Sequence, residues 1–158
     1  MINNNINSEL MKKILSTSKI VAMVGASSEK KEIITNIKRK PSIIVMKYLQ
    51  EFGYKVIPVN PSAVGKKIYE EIVYAKLSDI IAPIDIVNVF RPSKFIPAIA
   101  EDAVKVGAKT LWLQYGIQNK EAKEICNLAD INYIDDKCIK QEYQKLFLKI
   151  NPVFPVLQ

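Results

Sequence analysis

The chain predicts an α/β fold, a doubly wound parallel sheet in a three-layer αβα arrangement within a single domain. Three observations carry this. Short apolar runs alternate with segments of helical periodicity along the whole chain. The connections between the runs are mostly long enough to hold the crossover helix that parallel neighbours require. The first run, Ile20 to Val24, ends in Gly25-Ala26-Ser27-Ser28, small residues that let backbone N–H groups approach an anion at a strand's carboxyl end.

In chain order, Ser8 to Ser16 reads as a short helix, with Leu10, Met11, Ile14 and Leu15 on one face. The first strand spans Lys19 to Val24. Residues Gly25 to Lys40 are polar and lysine-rich, longer than the usual strand-to-helix connection and so read as a functional loop. Pro41 suits the first turn of a helix carrying Val45, Tyr48, Leu49 and Phe52, and Gly53 stops it. The second strand is Tyr54 to Val59; Pro58 within it is a tension that signals an edge or a strand end, and Asn60-Pro61-Ser62 turns the chain.

Lys67 to Tyr69 reads as a brief third strand and Leu77 to Ile81 as a short helix. Asp85 to Phe90 is a continuous apolar run broken only by Asn88, as expected of a strand covered on both faces. A helix starting near Pro97 ends at Gly107, a strand follows at Lys109 to Leu113, and Asn119 caps the next helix. Asn132 to Ile134 is a short strand, and Cys138 to Ile150 a closing helix. The predicted strand order is 3-2-1-4-5, which places a ligand at Gly25 to Ser28, Asn60-Pro61 and Phe90-Arg91, beside the switch point.

Composition narrows the chemistry. The 158 residues include no histidine and two cysteines, Cys126 and Cys138, without metal-ligand spacing, so zinc sites and Ser-His-Asp or Cys-His catalysis are not expected. Cys138 precedes a helix between Lys137 and Lys140, but Asp135 and Asp136 oppose activation of its thiol, and it is read as structural. The formal charge of +7 suits an anionic partner. Nucleic acid is not the expected one, because Arg39 and Arg91 are the only arginines and no recognition motif accompanies the lysines. With no membrane-length apolar run and a polar N-terminus, a cytoplasmic protein is expected.

An NAD site would show G-x-G-x-x-G after the first strand and an acid closing the second. Here Gly25 stands alone and Asn60 is neutral. A neutral residue there better suits a ribose that carries its own phosphate, which a carboxylate would repel.

Val24-Gly25-Ala26-Ser27, Lys40-Pro41-Ser42, the run Tyr54 to Pro61, the run Asp85 to Pro92, the run Leu111 to Ile117 and the late Asp135 to Lys140 form an ordered set. Together they resemble the small stand-alone CoA-binding proteins, which are similar to the CoA-binding domain of the succinyl-CoA synthetase alpha subunit. The resemblance covers about residues 19–146. It implies a Rossmann-like fold binding coenzyme A or an acyl-CoA. It places the diphosphate at Gly25, Ala26, Ser27 and Ser28, with Lys40 and Ser42 near a helix N-terminus. Lys55 would meet the ribose phosphate, and Asn60-Pro61 and Phe90-Arg91 would flank the adenosine. The lysine-rich loop and the tail depart from the family's pattern. A non-catalytic binding protein is the expected function, with a homodimer or a protein partner as possible assemblies. Two alternatives stay open, an NAD(P)-binding oxidoreductase and a CoA-responsive regulatory subunit.

Overall fold

A computed structural model describes residues 2–27 and 41–150. Five helices and seven strands are defined among them: α1 (Ile2–Thr17), β1 (Ile20–Val24), α2 (Pro41–Glu51), β2 (Lys55–Val59), β3 (Lys67–Ile68), β4 (Glu71–Ile72), β5 (Ile86–Val89), α3 (Ile96–Lys105), β6 (Thr110–Leu113), α4 (Lys120–Leu128), β7 (Asn132–Ile134) and α5 (Ile139–Phe147). Short 3₁₀ turns occupy Pro61–Ala63, Leu77–Asp79 and Ser93–Phe95. The main sheet runs β2-β1-β5-β6-β7, parallel throughout.

Strand alternation sorts the core onto two faces. Val21, Met23, Ile86 and Trp112 point to one face, where they pack with Met11, Ile14 and Leu15 of α1, Val45, Met46 and Leu49 of α2, and Ile139 of α5. Ala22, Val87, Val89, Leu111 and Leu113 point to the other, against Ile96, Ala100 and Ala103 of α3 and Ala122 and Cys126 of α4. Both faces are covered, as the near-continuous apolar strands require.

The expected third strand is a correction. Lys67–Ile68 leaves the sheet and pairs antiparallel with Glu71–Ile72 in a separate hairpin. Tyr69 and Glu70 make its reversal at positive φ, 45° and 72°. Beside β2 stands Tyr74 instead, in a single parallel bridge to Val59. Its N–H donates to the Pro58 carbonyl at 3.0 Å, and its carbonyl accepts from the Asn60 N–H at 2.9 Å. The Pro58 carbonyl therefore faces the outer edge, where proline offers no N–H to extend a ladder. Pro58 is thus an edge residue, and the order past β2 ends there.

Asp85 fastens the amino end of the sheet. Its Oδ2 accepts from the N–H groups of Lys19 at 2.8 Å and Ile20 at 3.0 Å, and Lys109 Nζ lies 3.6 Å from Oδ1. Burial alone would raise its carboxyl pKa, but the two backbone bonds and Lys109 hold it below the usual carboxylate range.

Candidate functional site

The carboxyl ends of β1, β2 and β5 meet at a cleft of about 620 Å³, within the range of small-molecule sites. Gly25 ends β1 at φ +88°, and a Cβ there would lie 2.8 Å from the Phe90 carbonyl oxygen and 3.1 Å from Arg91 Cγ and Cδ. Only glycine fits between these strand ends. The Gly25 N–H donates to the Val59 carbonyl at 3.0 Å and the Phe90 N–H to the Val24 carbonyl at 2.8 Å, so the ladders hold the three strand ends in register.

Asn60 joins the second strand's end to the first. Its Nδ2 donates to the Ala26 carbonyl at 2.7 Å, while its Oδ1 caps the Pro61–Ala63 turn by accepting from the Ser62 N–H at 2.9 Å. The Ser27 N–H donates to Ser42 Oγ at 3.0 Å, which ties the chain after β1 to the first turn of α2. At the mouth, the Arg91 guanidinium lies over the Phe95 ring at 4.0 Å, a cation–π contact that presents the arginine on a flat support.

Gly25, Ser27, Asn60, Pro61, Phe90 and Arg91 line the cleft together, as expected from their strand ends. Ala26 does not. Its side chain is 1 % exposed, and its carbonyl is taken by Asn60. Ser42, 3 % exposed, spends its hydroxyl on the Ser27 N–H. Lys55 stands apart from them. It opens β2 opposite Ile20, at the sheet's amino end, and its ammonium bonds Glu71 at 2.9 Å. Five residues of extended chain, roughly 16–17 Å at 3.3 Å per residue, separate it from Asn60. Ser28 and Lys40 lie outside the described residues.

Sequence reasoning missed Lys76, Phe95 and Asp102, which also line the cleft. Phe95 had a usable signal, its spacing four residues after Arg91. Lys76 and Asp102 had none, because a 3₁₀ turn and the outer part of α3 bring them in. Among the described residues, neither Lys76 nor Arg91 forms an ion pair. Their charges face a space able to take an anion and a planar group.

A doubly wound parallel sheet with a cleft at its switch point defines a Rossmann-like α/β protein. The family profile described as "CoA binding domain" matches residues 19–144, and the chain belongs to that family. It is 38% identical over 133 residues to the uncharacterized protein YneT of Bacillus subtilis, covering 82% of this chain and 89% of that one. It is 28% identical over 140 residues to the ADP-forming acetate–CoA ligase of Methanocaldococcus jannaschii, covering 80% of this chain but only 18% of the ligase. Among solved structures, a Thermus thermophilus protein superposes with a TM-score of 0.79 at 31% identity, covering 89% of this chain and 98% of the other.

Proposed function

We propose that this chain binds coenzyme A, free or acylated, reversibly and without chemical transformation. The observation that carries the reading is the convergence of Gly25, Asn60 and Arg91 at one cleft. Gly25 brings the end of β1 to the cleft, Asn60 closes β2 without a carboxylate, and Arg91 with Lys76 supplies positive charge that no ion pair among the described residues takes up. Family membership supports coenzyme A as the nucleotide. The same features disfavour NAD, whose ribose hydroxyls are commonly held by an acid closing β2.

The non-catalytic reading rests on side chains. The ionisable groups lining the cleft are Lys76, Arg91 and Asp102, and none of their side chains is hydrogen-bonded to a nucleophile among the described residues. No histidine exists to serve as a general base. No helix of the described residues is long and apolar enough to cross a membrane, and we place the protein in the cytoplasm.

Titration calorimetry with CoA, dephospho-CoA and NADH tests the proposal. CoA is expected to bind at least tenfold more tightly than either of the others, about 1.4 kcal/mol, with the margin over dephospho-CoA narrowing as salt screens the 3′-phosphate. Absent CoA binding, or equal affinity for CoA and dephospho-CoA, refutes it. Turnover of an acyl-CoA by the purified protein would refute the non-catalytic part alone.

A further inference from the structure

A second cavity lies at the amino end of the sheet, a strand's length away from the nucleotide cleft. Its volume is about 250 Å³, against about 620 Å³ for the cleft, which suits a ligand of one ring rather than a nucleotide. Four segments build it: the end of α1, the start of β1, the turn between α2 and β2, and the second half of α5. Helical spacing puts Tyr143 and Phe147 on one side of α5, their ring centroids 4.8 Å apart, and Phe52 stacks on Tyr143 at 4.1 Å and 10°. All three rings are half-buried, so the stack forms a wall with solvent access. At Gly53, which lines the same cavity, an added Cβ would meet nothing within 4 Å.

The charge at this wall has one sign. Lys19 lines the cavity beside Ser18, no carboxylate among the described residues does, and the Lys19 ammonium forms no ion pair among them. Three helices end nearby, and the negative ends of their dipoles would favour a cation. Their last carbonyls are already taken. That of Leu15 accepts from the Tyr54 hydroxyl, that of Leu49 from the Tyr54 N–H, and that of Gln144 from the Leu148 and Ile150 N–H groups. Lys19 is left as the full charge that a ligand meets.

We propose that this cavity binds small aromatic carboxylates, with the ring against Phe52, Tyr143 and Phe147 and the carboxylate on the Lys19 ammonium. An aromatic wall favours any apolar ring, and a free ammonium favours any anion. Together they select a molecule that carries both. The site is separate from the nucleotide cleft and stands whether or not coenzyme A occupies that cleft.

The test titrates phenylpropionate, its primary amide and phenylpropylamine into the isotope-labelled full chain, followed by the backbone amide resonances. Phenylpropionate is expected to shift Ser18, Lys19 and Gly53 saturably, to leave Gly25 and Asn60 in place, and to bind about tenfold more tightly than the amide, as a bond to a charged group allows. The amine should bind most weakly. Lys19→Gln keeps the backbone N–H that bonds Asp85, so it should abolish the preference for the carboxylate without changing amide binding, CoA binding or the melting temperature. Phe147→Ala should weaken carboxylate and amide alike; should it not fold, Lys19→Gln carries the test alone. Equal affinity for carboxylate and amide, preference for the amine, shifts confined to Gly25 and Asn60, or no saturable shift overturns the proposal. Concentration-dependent sedimentation that Phe147→Ala removes, with no ligand shift, assigns the wall to a second copy of the chain and overturns it as well.

Discussion

Substituting Gly25 by alanine separates two costs that the structure assigns to one position. The first is conformational: an L-residue in left-handed backbone, here φ +88°, costs about 1–2 kcal/mol, less a few tenths recovered from the unfolded chain. The second is steric. The new Cβ would stand 2.8 Å from a backbone carbonyl, that of Phe90, and a backbone atom yields only if the ends of β1 and β5 move apart, an overpacking cost of about 1–3 kcal/mol. The combined loss is about 3 kcal/mol.

Gly53→Ala supplies the control, because Gly53 also has positive φ, +106°, but nothing within 4 Å of the added Cβ. It should lose only the conformational part, about 1 kcal/mol. For a domain of this size each kcal/mol shifts the melting temperature by roughly 2–4 °C, so thermal denaturation should show a drop for Gly25→Ala about three times that of Gly53→Ala. Stabilities of about 5–15 kcal/mol leave both variants folded. Calorimetry should find CoA binding to Gly25→Ala weakened at least tenfold and binding to Gly53→Ala unchanged. Equal melting losses with undiminished CoA affinity would refute the close-approach argument.

Asn60→Asp keeps the acceptor for the Ser62 N–H but turns the 2.7 Å donation to Ala26 into an oxygen–oxygen repulsion. Urea denaturation should register a loss of about 1–3 kcal/mol, and CoA affinity should fall more than tenfold at low salt and less at high salt; salt-independent affinity would contradict the electrostatic reading. Asp85→Asn tests the sheet's other end. Because the folded carboxyl is held below its unfolded pKa of about 3.9, the stabilisation is fully present above that value and is lost as pH falls through the folded one. The gap between wild type and Asp85→Asn, about 2 kcal/mol at pH 7 for bonds to a charged group, should therefore close on acidification below about pH 4, with CoA binding untouched at neutral pH. A pH-independent gap would rule out the charge as its source.

The sheet was legible because β1, β2, β5 and β6 are largely apolar runs with Gly, Pro or Asn close to their ends. Strand order then brought Gly25, Asn60 and Arg91 to one edge. The β3–β4 hairpin was not legible. Its reversal uses Tyr69 and Glu70 at positive φ, where neither residue carries the glycine or asparagine that signals such backbone. The distance of Lys55 from the cleft was not legible for a different reason. The resemblance supplied a basic residue near the second strand, whereas parallel register fixes which end of the sheet it occupies, and opposite Ile20 it stands at the amino end.

Ala26 and Ser42 show why small residues after a first strand cannot all be counted as ligand contacts. Three of the groups there are consumed internally, the Gly25 N–H by the Val59 carbonyl, the Ala26 carbonyl by Asn60 and the Ser27 N–H by Ser42 Oγ. These bonds lock the path of the chain between the two faces of the sheet, so the stretch that opened as a phosphate cradle acts first as a rigid crossing. A crossing held from both sides keeps Gly25 at its close approach to Phe90. The β1 side of the cleft is then rigid, and the ordering cost of binding falls mainly on the ligand.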